Sequence, residues 1–267
     1  MSGNWFSSGF GAAVKHEQER EANATWLPDR FWIPTGQSRE IVFVDEAAGA
    51  FREHNAKING NWKNWITCAA PLMEAGEVAP CCQILGADSA YMVSMVTIID
   101  CTKWTDKKGN TRQFELKVLP AKYKTAQKLE RKNSELQKEG KSLAGRLYKV
   151  TRETDKSPAV GDDYEFVREV DMSKLFDLAT YKGKKISEIF AAAQDGDGFD
   201  RLLRTFSVMK GTDGSVPRKL VPFNYQKLYW PKTPNEIKAL LNGYVPTDDD
   251  DRGGGGKSRG ADETVPF

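Results

Sequence analysis

Apolar positions along this chain recur with two different periods. Residues 39–45 (REIVFVD) are a β-branched run and predict a first strand. Residues 61–68 (NWKNWITC) predict a second, and 46–57 between them read as a loop or short helix. Residues 71–80, with Gly76 and a proline at each end, read as a loop. Residues 82–100 are rich in Tyr, Val, Met, Thr and Ile and predict a long buried strand running on through Lys103 and Trp104. Residues 106–110 (DKKGN) make a turn with glycine where positive φ costs little, and 111–119 return, so 91–119 forms one hairpin. Residues 121–139 lack Gly and Pro, and Tyr123, Ala126, Leu129 and Leu136 give them a thin helical stripe that Gly140 ends. Residues 147–151 and 164–170 predict two closing strands.

Strands, a hairpin, one helix and two more strands is the order of a Greek-key barrel of the OB type, although ferredoxin-like and sandwich arrangements fit the same order. From Met172 the character changes, with helical patterns at 186–193, 199–206 and 235–241. The expected fold is mainly β. It has a flexible N-terminal arm over 1–25, an OB-type barrel with one inserted helix over 26–170, a helical extension packed on the barrel over 171–246, and a disordered acidic tail over 247–267.

Composition narrows the class. Of 267 residues, 39% are hydrophobic and 28% charged, enough for a core under a heavily solvated surface. No apolar run approaches the ~20 residues a membrane helix needs. The first residues lack a basic-then-apolar leader, so a cytoplasmic setting is expected. The net charge of +2 hides a strong asymmetry. Residues 101–160 hold 16 Lys and Arg against 7 Asp and Glu, whereas 248–267 hold 6 acids and 3 bases. A solvated charged face would look similar, but a cationic stretch with an acidic tail also fits a polyanion site and its tethered competitor.

The cationic stretch interleaves Lys103, Lys107, Lys108, Arg112, Lys117, Lys122 and Lys124 with Trp104, Phe114 and Tyr123, while Trp62 and Trp65 flank Lys63. Single-strand binding needs this mixture: cations neutralise phosphates, and aromatic faces stack on bases for ~1–3 kcal/mol each. Alternation along a strand tempers the list. Arg112, Phe114, Leu116 and Val118 share a face, which makes Phe114 a core residue, and Lys103 and Trp104 point opposite ways. Trp62 and Trp65 stand at an odd offset, so one of them is buried. The chain has no helix-turn-helix, regular zinc-finger spacing, RNP octamer or Walker loop. Asp100, Asp106, Asp162 and Asp163 are spaced like turn residues, and with two histidines little general-base material remains, so no catalysis is expected. His54, Cys68, Cys81, Cys82 and Cys101 raise the question of a metal. The chain has no Cys-x2–4-Cys knuckle, and adjacent Cys81 and Cys82 chelate one ion poorly. The expectation is no zinc and no cofactor, with His54 structural and Cys68 and Cys101 as small core residues.

The final residues, Asp262-Glu263-Thr264-Val265-Pro266-Phe267, resemble the acidic tip of bacterial single-stranded-DNA-binding proteins. A second resemblance runs over about 30–170. Its residues include Phe31-Trp32, Glu53-His54-Asn55, Asn61-Trp62-Lys63-Asn64-Trp65, Thr67-Cys68, Ile98-Ile99-Asp100 and Trp104-Thr105-Asp106-Lys107-Lys108-Gly109-Asn110. It closes with the run TDKSPAVGD over 154–162. These resemble a family of tailed-bacteriophage single-stranded-DNA-binding proteins. The resemblance implies an OB-type protein of the host bacterial cytoplasm that coats and protects single strands in replication, recombination and repair. The tip, with Asp262, Glu263, Val265, Pro266 and Phe267, would then recruit a polymerase, helicase or primase, or nuclease. The family's Cys-Pro-Leu-Cys element is replaced here by Ala70-Pro71-Leu72-Met73, so the resemblance also implies no zinc. An RNA-binding cold-shock-like module or a DNA-processing enzyme are the competing readings.

Overall fold

The computed structural model describes residues 27–58, 61–74, 76–105, 109, 111–193, 197–211, 215–232 and 236–237, without the side chains of 57–58, 61–64 and 197. The expected arm, Lys107 and Lys108, the acidic tail with its tip, and the side chains of Trp62 and Lys63 lie outside these residues.

The protein is a mixed α/β structure built on one large sheet. The sheet uses β1 (Gln37–Phe43), β2 (Gly49–Ile58), β3 (Asn61–Thr67), β4 (Tyr91–Asp100), β7 (Glu115–Ala121), β8 (Arg146–Arg152), β9 (Asp163–Glu169), β10 (Thr180–Tyr181) and β11 (Lys184–Lys185). β5 (Trp104–Thr105) and β6 (Thr111–Arg112) form a separate small ribbon. Strand order is β11-β10-β7-β4-β1-β8-β9, with β2 on β4 and β3 on β2. β1 lies antiparallel to β4 through Phe43↔Ile98 and to β8 through Ile41↔Tyr148. β2 takes over along β4 where β1 leaves it, from Gly49↔Met95 to Glu53↔Tyr91. Among the described residues no pairing joins the two ends of the sheet, so it is not a closed barrel.

The helix and the two closing strands stand as the sequence pattern predicts, and β4 pairs with β7 from Ser94↔Ala121 to Asp100↔Glu115, but the 91–119 hairpin is not continuous: beyond Asp100 and before Glu115 its arms leave the sheet and pair as the β5–β6 ribbon. The helices are α1 (Pro80–Leu85), α2 (Tyr123–Gln137), α3 (Met172–Leu178), α4 (Ile186–Ala192), α5 (Asp197–Thr205) and α6 (Tyr225–Leu228). Three further expectations are corrected. Residues 46–57 are largely strand β2, because they extend the ladder of β4. Residues 82–85 belong to α1, begun by Pro80 at its first turn, so the strand starts only at Tyr91. The extension after residue 170 is not purely helical: β10 joins the sheet, parallel to β7 at Thr180↔Glu115.

Alternation along the strands gives the sheet two buried faces. Ile41, Phe43, Ile98, Leu119, Tyr148 and Val150 face one cluster, closed by Phe31, Ile33 and Leu129 of α2. Val42, Met95, Ile99, Leu116, Val118 and Leu147 face a second, filled by Phe176, Phe190, Phe206 and Phe223 from the extension. At roughly 1.5–3 kcal/mol per fully buried large apolar side chain, these two clusters dominate the stability of the fold.

A buried polar tie locks the extension to the sheet. The Asp45 carboxylate accepts from the Thr97 N–H and the Tyr225 hydroxyl. The Thr97 hydroxyl reaches the Tyr225 hydroxyl at 2.7 Å and accepts from the Phe223 N–H at 2.9 Å. The Tyr225 ring lies so close to the backbone of β2 that a Cβ on Gly49 would stand 2.5 Å from it, which explains glycine there. Burial raises the Asp45 pKa to about 6 against the hydrogen bonds from Tyr225 and Thr97, which lower it.

Candidate nucleic-acid interface

The sequence-predicted binding residues fall at several places around the β4–β7 hairpin. At one end, Asp100 sits wholly buried at the end of β4 and accepts from Arg39 at 2.8 Å and Lys117 at 2.9 Å. Lys117 pairs across the ladder with Ile98, so its side chain lies on the interior face, diagonal to Asp100. Lys117 is therefore a buried ion-pair residue rather than an open phosphate contact, a correction forced by the register. Its ammonium also lies 4.8 Å from the centroid of the Trp104 ring. The indole N–H of Trp104 is buried and meets no acceptor among the described residues. Beside it a cavity of about 380 Å³ is lined by Ser38, Arg39, Glu40, Cys101, Thr102, Lys103, Gln113 and Lys149, and Lys103 is exposed there. Arg112 is half-buried, 3.7 Å from Glu115, and Phe114, at φ 53°, packs partly buried on the extension's cluster.

At the other end, Lys122 lies 4.7 Å from the Tyr91 ring and Arg30 stacks 4.0 Å over Trp65. Glu53 organises this group. Its carboxylate takes both Arg30 nitrogens at 2.9 and 2.6 Å and the Tyr91 hydroxyl at 2.8 Å. Burial first, then the Glu53 carboxylate, raises the Tyr91 pKa and holds its hydroxyl protonated. Tyr123 and Lys124 follow Lys122 at the start of α2 and are exposed. From Lys117 to Lys122 is five residues, about 16 Å of strand, so the two groups occupy opposite ends of β7.

Sequence reasoning missed Arg30, Arg39, Glu53 and Tyr91. Arg30 joins the group because its backbone bridges to Val118 of β7, a pairing with no local sequence signal. Tyr91 does carry one: it heads the apolar run of β4, at the end where the strand leaves the core.

A further cluster lies where β2, β3 and α1 meet. His54, Cys68, Cys81 and Cys82 are all buried, and their ligand atoms lie within 4.8 Å of one another. Spacing along the chain speaks against a metal, but the fold brings these four residues together. His54 pairs with Ile66 across the β2–β3 ladder, and the Cys68 N–H donates to the Arg52 carbonyl at 2.8 Å. Cys68 thus sits two residues beyond Ile66, on the face His54 occupies. The first turn of α1 delivers Cys81 and Cys82 to the same point. Cys82 Sγ stands 3.4 Å from Cys68 Sγ and 3.5 Å from His54 Nε2. Burial, then Arg52, lowers the His54 pKa, while burial and its sulfur neighbours push the Cys82 thiol up to about 12. Cys101 lies apart and is half-buried, its thiol directed to the Ile99 carbonyl at 3.7 Å.

Among the described residues no helix is long and apolar enough to cross a membrane. No protein-family model matches this chain, and no curated protein matches it significantly, so its function is read from the residues themselves.

Proposed function

We propose that the protein binds single-stranded DNA without reading its sequence, on an OB-type framework, and performs no catalysis. The observation that carries this reading is the pairing of cations with aromatic rings at one end of the β4–β7 hairpin, Arg30 on Trp65 and Lys122 by Tyr91, beside the exposed Tyr123 and Lys124. Each pair places positive potential beside a flat π surface, which suits a strand whose phosphates and bases alternate. The connectivity supports the framework. If β1 and β2 count as one bent strand, the pairings of that strand with β4 and β8, of β4 with β7, and of β8 with β9 are four of the five in a Greek-key OB barrel. Where the fifth would join β7 to β9, the segment around Phe31 bonds instead. Phe31 N–H donates to the Val118 carbonyl and Ile33 N–H to the Ala159 carbonyl, both at 2.7 Å.

In this reading the acidic tip, with Asp262, Glu263, Val265, Pro266 and Phe267, recruits replication or recombination proteins, and the tail competes with DNA for the cationic surface. The resemblance to phage single-strand binders supports the assignment to replication, recombination and repair. A salt titration of binding to poly-dT, matched RNA and duplex DNA tests it. Expected is preference for the DNA single strand and a log–log salt slope of about −2 to −4, as for three to five phosphate contacts. Equal affinity for duplex overturns the proposal, and tighter binding of RNA favours a cold-shock-like role.

A further inference from the structure

Going beyond nucleic-acid binding, we infer that His54, Cys68, Cys81 and Cys82 form a closed tetrahedral site for one zinc ion, which fastens the β2–β3 hairpin to α1.

The donor set and its dimensions carry this inference. A zinc ion with Zn–S near 2.3 Å and Zn–N near 2.0–2.1 Å sets ligand atoms about 3.5–3.8 Å apart along the edges of its tetrahedron. The Cys68–Cys82 and Cys82–His54 separations of 3.4 and 3.5 Å already match. No pair exceeds 4.8 Å, so the widest edge closes by about 1 Å on binding. Three sulfurs and one imidazole are the soft set that selects zinc over magnesium or calcium. All four residues are buried, with His54 and Cys81 fully enclosed, which describes a structural site with no position open to substrate.

The tautomer of His54 is a second, independent argument. The Ser89 hydroxyl spends its only proton on the Gly86 carbonyl at 2.8 Å. It can therefore only accept from His54 Nδ1, also at 2.8 Å. Nδ1 thus carries the hydrogen, and the lone pair of Nε2 points at the sulfurs. Such an outer partner, fixing the ring and its tautomer, is characteristic of a metal-bound histidine. Thiols acting only as apolar filler would account for the cysteines but not for a buried imidazole lone pair aimed at them. The packing agrees. Around the cluster stand Ala56, Ala69, Ala79, Ile66 and Ile237, and among the described residues these two isoleucines are the large, fully buried apolar side chains here. So little apolar volume leaves the hairpin and α1 in need of another fastening. Binding balances as three thiols and one neutral imidazole taking up Zn2+ and releasing three protons, with no oxidant involved.

The test is metal analysis of the full chain, purified under reducing conditions with zinc present and then desalted. One zinc per chain is expected. Cys101→Ser should retain it and Cys82→Ser should lose it. Because Cys82→Ser can also fail to fold, cobalt exchange into the unmodified chain gives a second reading. Tetrahedral thiolate–cobalt charge-transfer and d–d bands are expected, and a thiol reagent should abolish them as it releases the metal. Folded protein that takes up no zinc on addition overturns the site, as does octahedral cobalt. Loss of zinc from Cys101→Ser overturns the ligand set, and a Cys68–Cys82 or Cys81–Cys82 disulfide in anaerobically prepared protein overturns the metal reading.

Discussion

The central sheet and the β2–β3 hairpin with α1 hold themselves together by different means. The sheet is packed on both faces by Phe31, Phe43, Phe176, Phe190, Phe206 and Phe223 together with rows of Ile, Leu and Val. The hairpin and α1 meet over alanines, two isoleucines, three thiols and an imidazole. One region is stabilised by apolar area, which is non-directional and tolerant of many side chains. The other depends on four atoms whose geometry must be met together. A region of the second kind can be small and still be held firmly, but its stability is conditional on what the four atoms bind.

Removing volume from the sheet should have the largest effect. Phe43→Ala should lower unfolding stability by about 3–5 kcal/mol in urea titrations, equally with and without a zinc chelator. Sensitivity to the chelator would mean the two regions share one fastening. The next largest effect is a pH dependence in the tie between sheet and extension. An unfolded aspartate ionises near 3.8, whereas Asp45 in the fold holds its proton to about pH 6. The folded state therefore binds the extra proton, and stability falls as pH rises from about 4 through about 6. The difference between the parent and Asp45→Asn should change by about 3 kcal/mol across that window, and a flat difference would refute the assignment. For DNA binding, Trp104→Ala and Trp65→Ala should each cost ~1–3 kcal/mol of poly-dT affinity, one on the sheet side and one on the hairpin side. If only one of them matters, the strand runs over one region alone. The smallest effect belongs to the hairpin. Ile66→Val should cost only about 0.5–1.5 kcal/mol and leave zinc content unchanged. A larger loss would show that apolar packing, rather than the four ligands, carries this region.

The sheet was legible where a strand is buried on both faces and so reads as a continuous apolar run, as in β1 and β4. Strand β2 was not, because Arg52, Glu53, His54 and Asn55 give GAFREHNAKI no apolar alternation. Their pairing with β4 and β3 is what makes them strand. The candidate interface was half legible. Trp65, Trp104 and Lys122 do sit in cation–aromatic pairs, but Lys117 looked like its solvated neighbours because the acid that buries it, Asp100, is 17 residues away. The residues of the thiol cluster were legible as metal-ligand types, but their closeness was not, for a similar reason. Its ligands come from β2, the residue after β3 and the first turn of α1, and the adjacent pair Cys81 and Cys82 lacks the knuckle spacing that marks a metal site in a sequence.

The place of β1 in the sheet has a consequence for synthesis. Among the described residues it is the first strand made, yet it lies between β4 and β8, and its full ladder needs residues up to Arg152. At about 5–20 residues per second, the ~110 residues after Phe43 take roughly 5–20 s to follow it. For that time Ile41, Val42 and Phe43, none of which touches solvent in the finished fold, have no β8 to cover them. β4 arrives earlier but reaches only the last three residues of β1, Ile41–Phe43. The nascent chain thus passes through a period in which the apolar end of β1 is half-sheltered, and that interval is when chaperones or a neighbouring chain would find it.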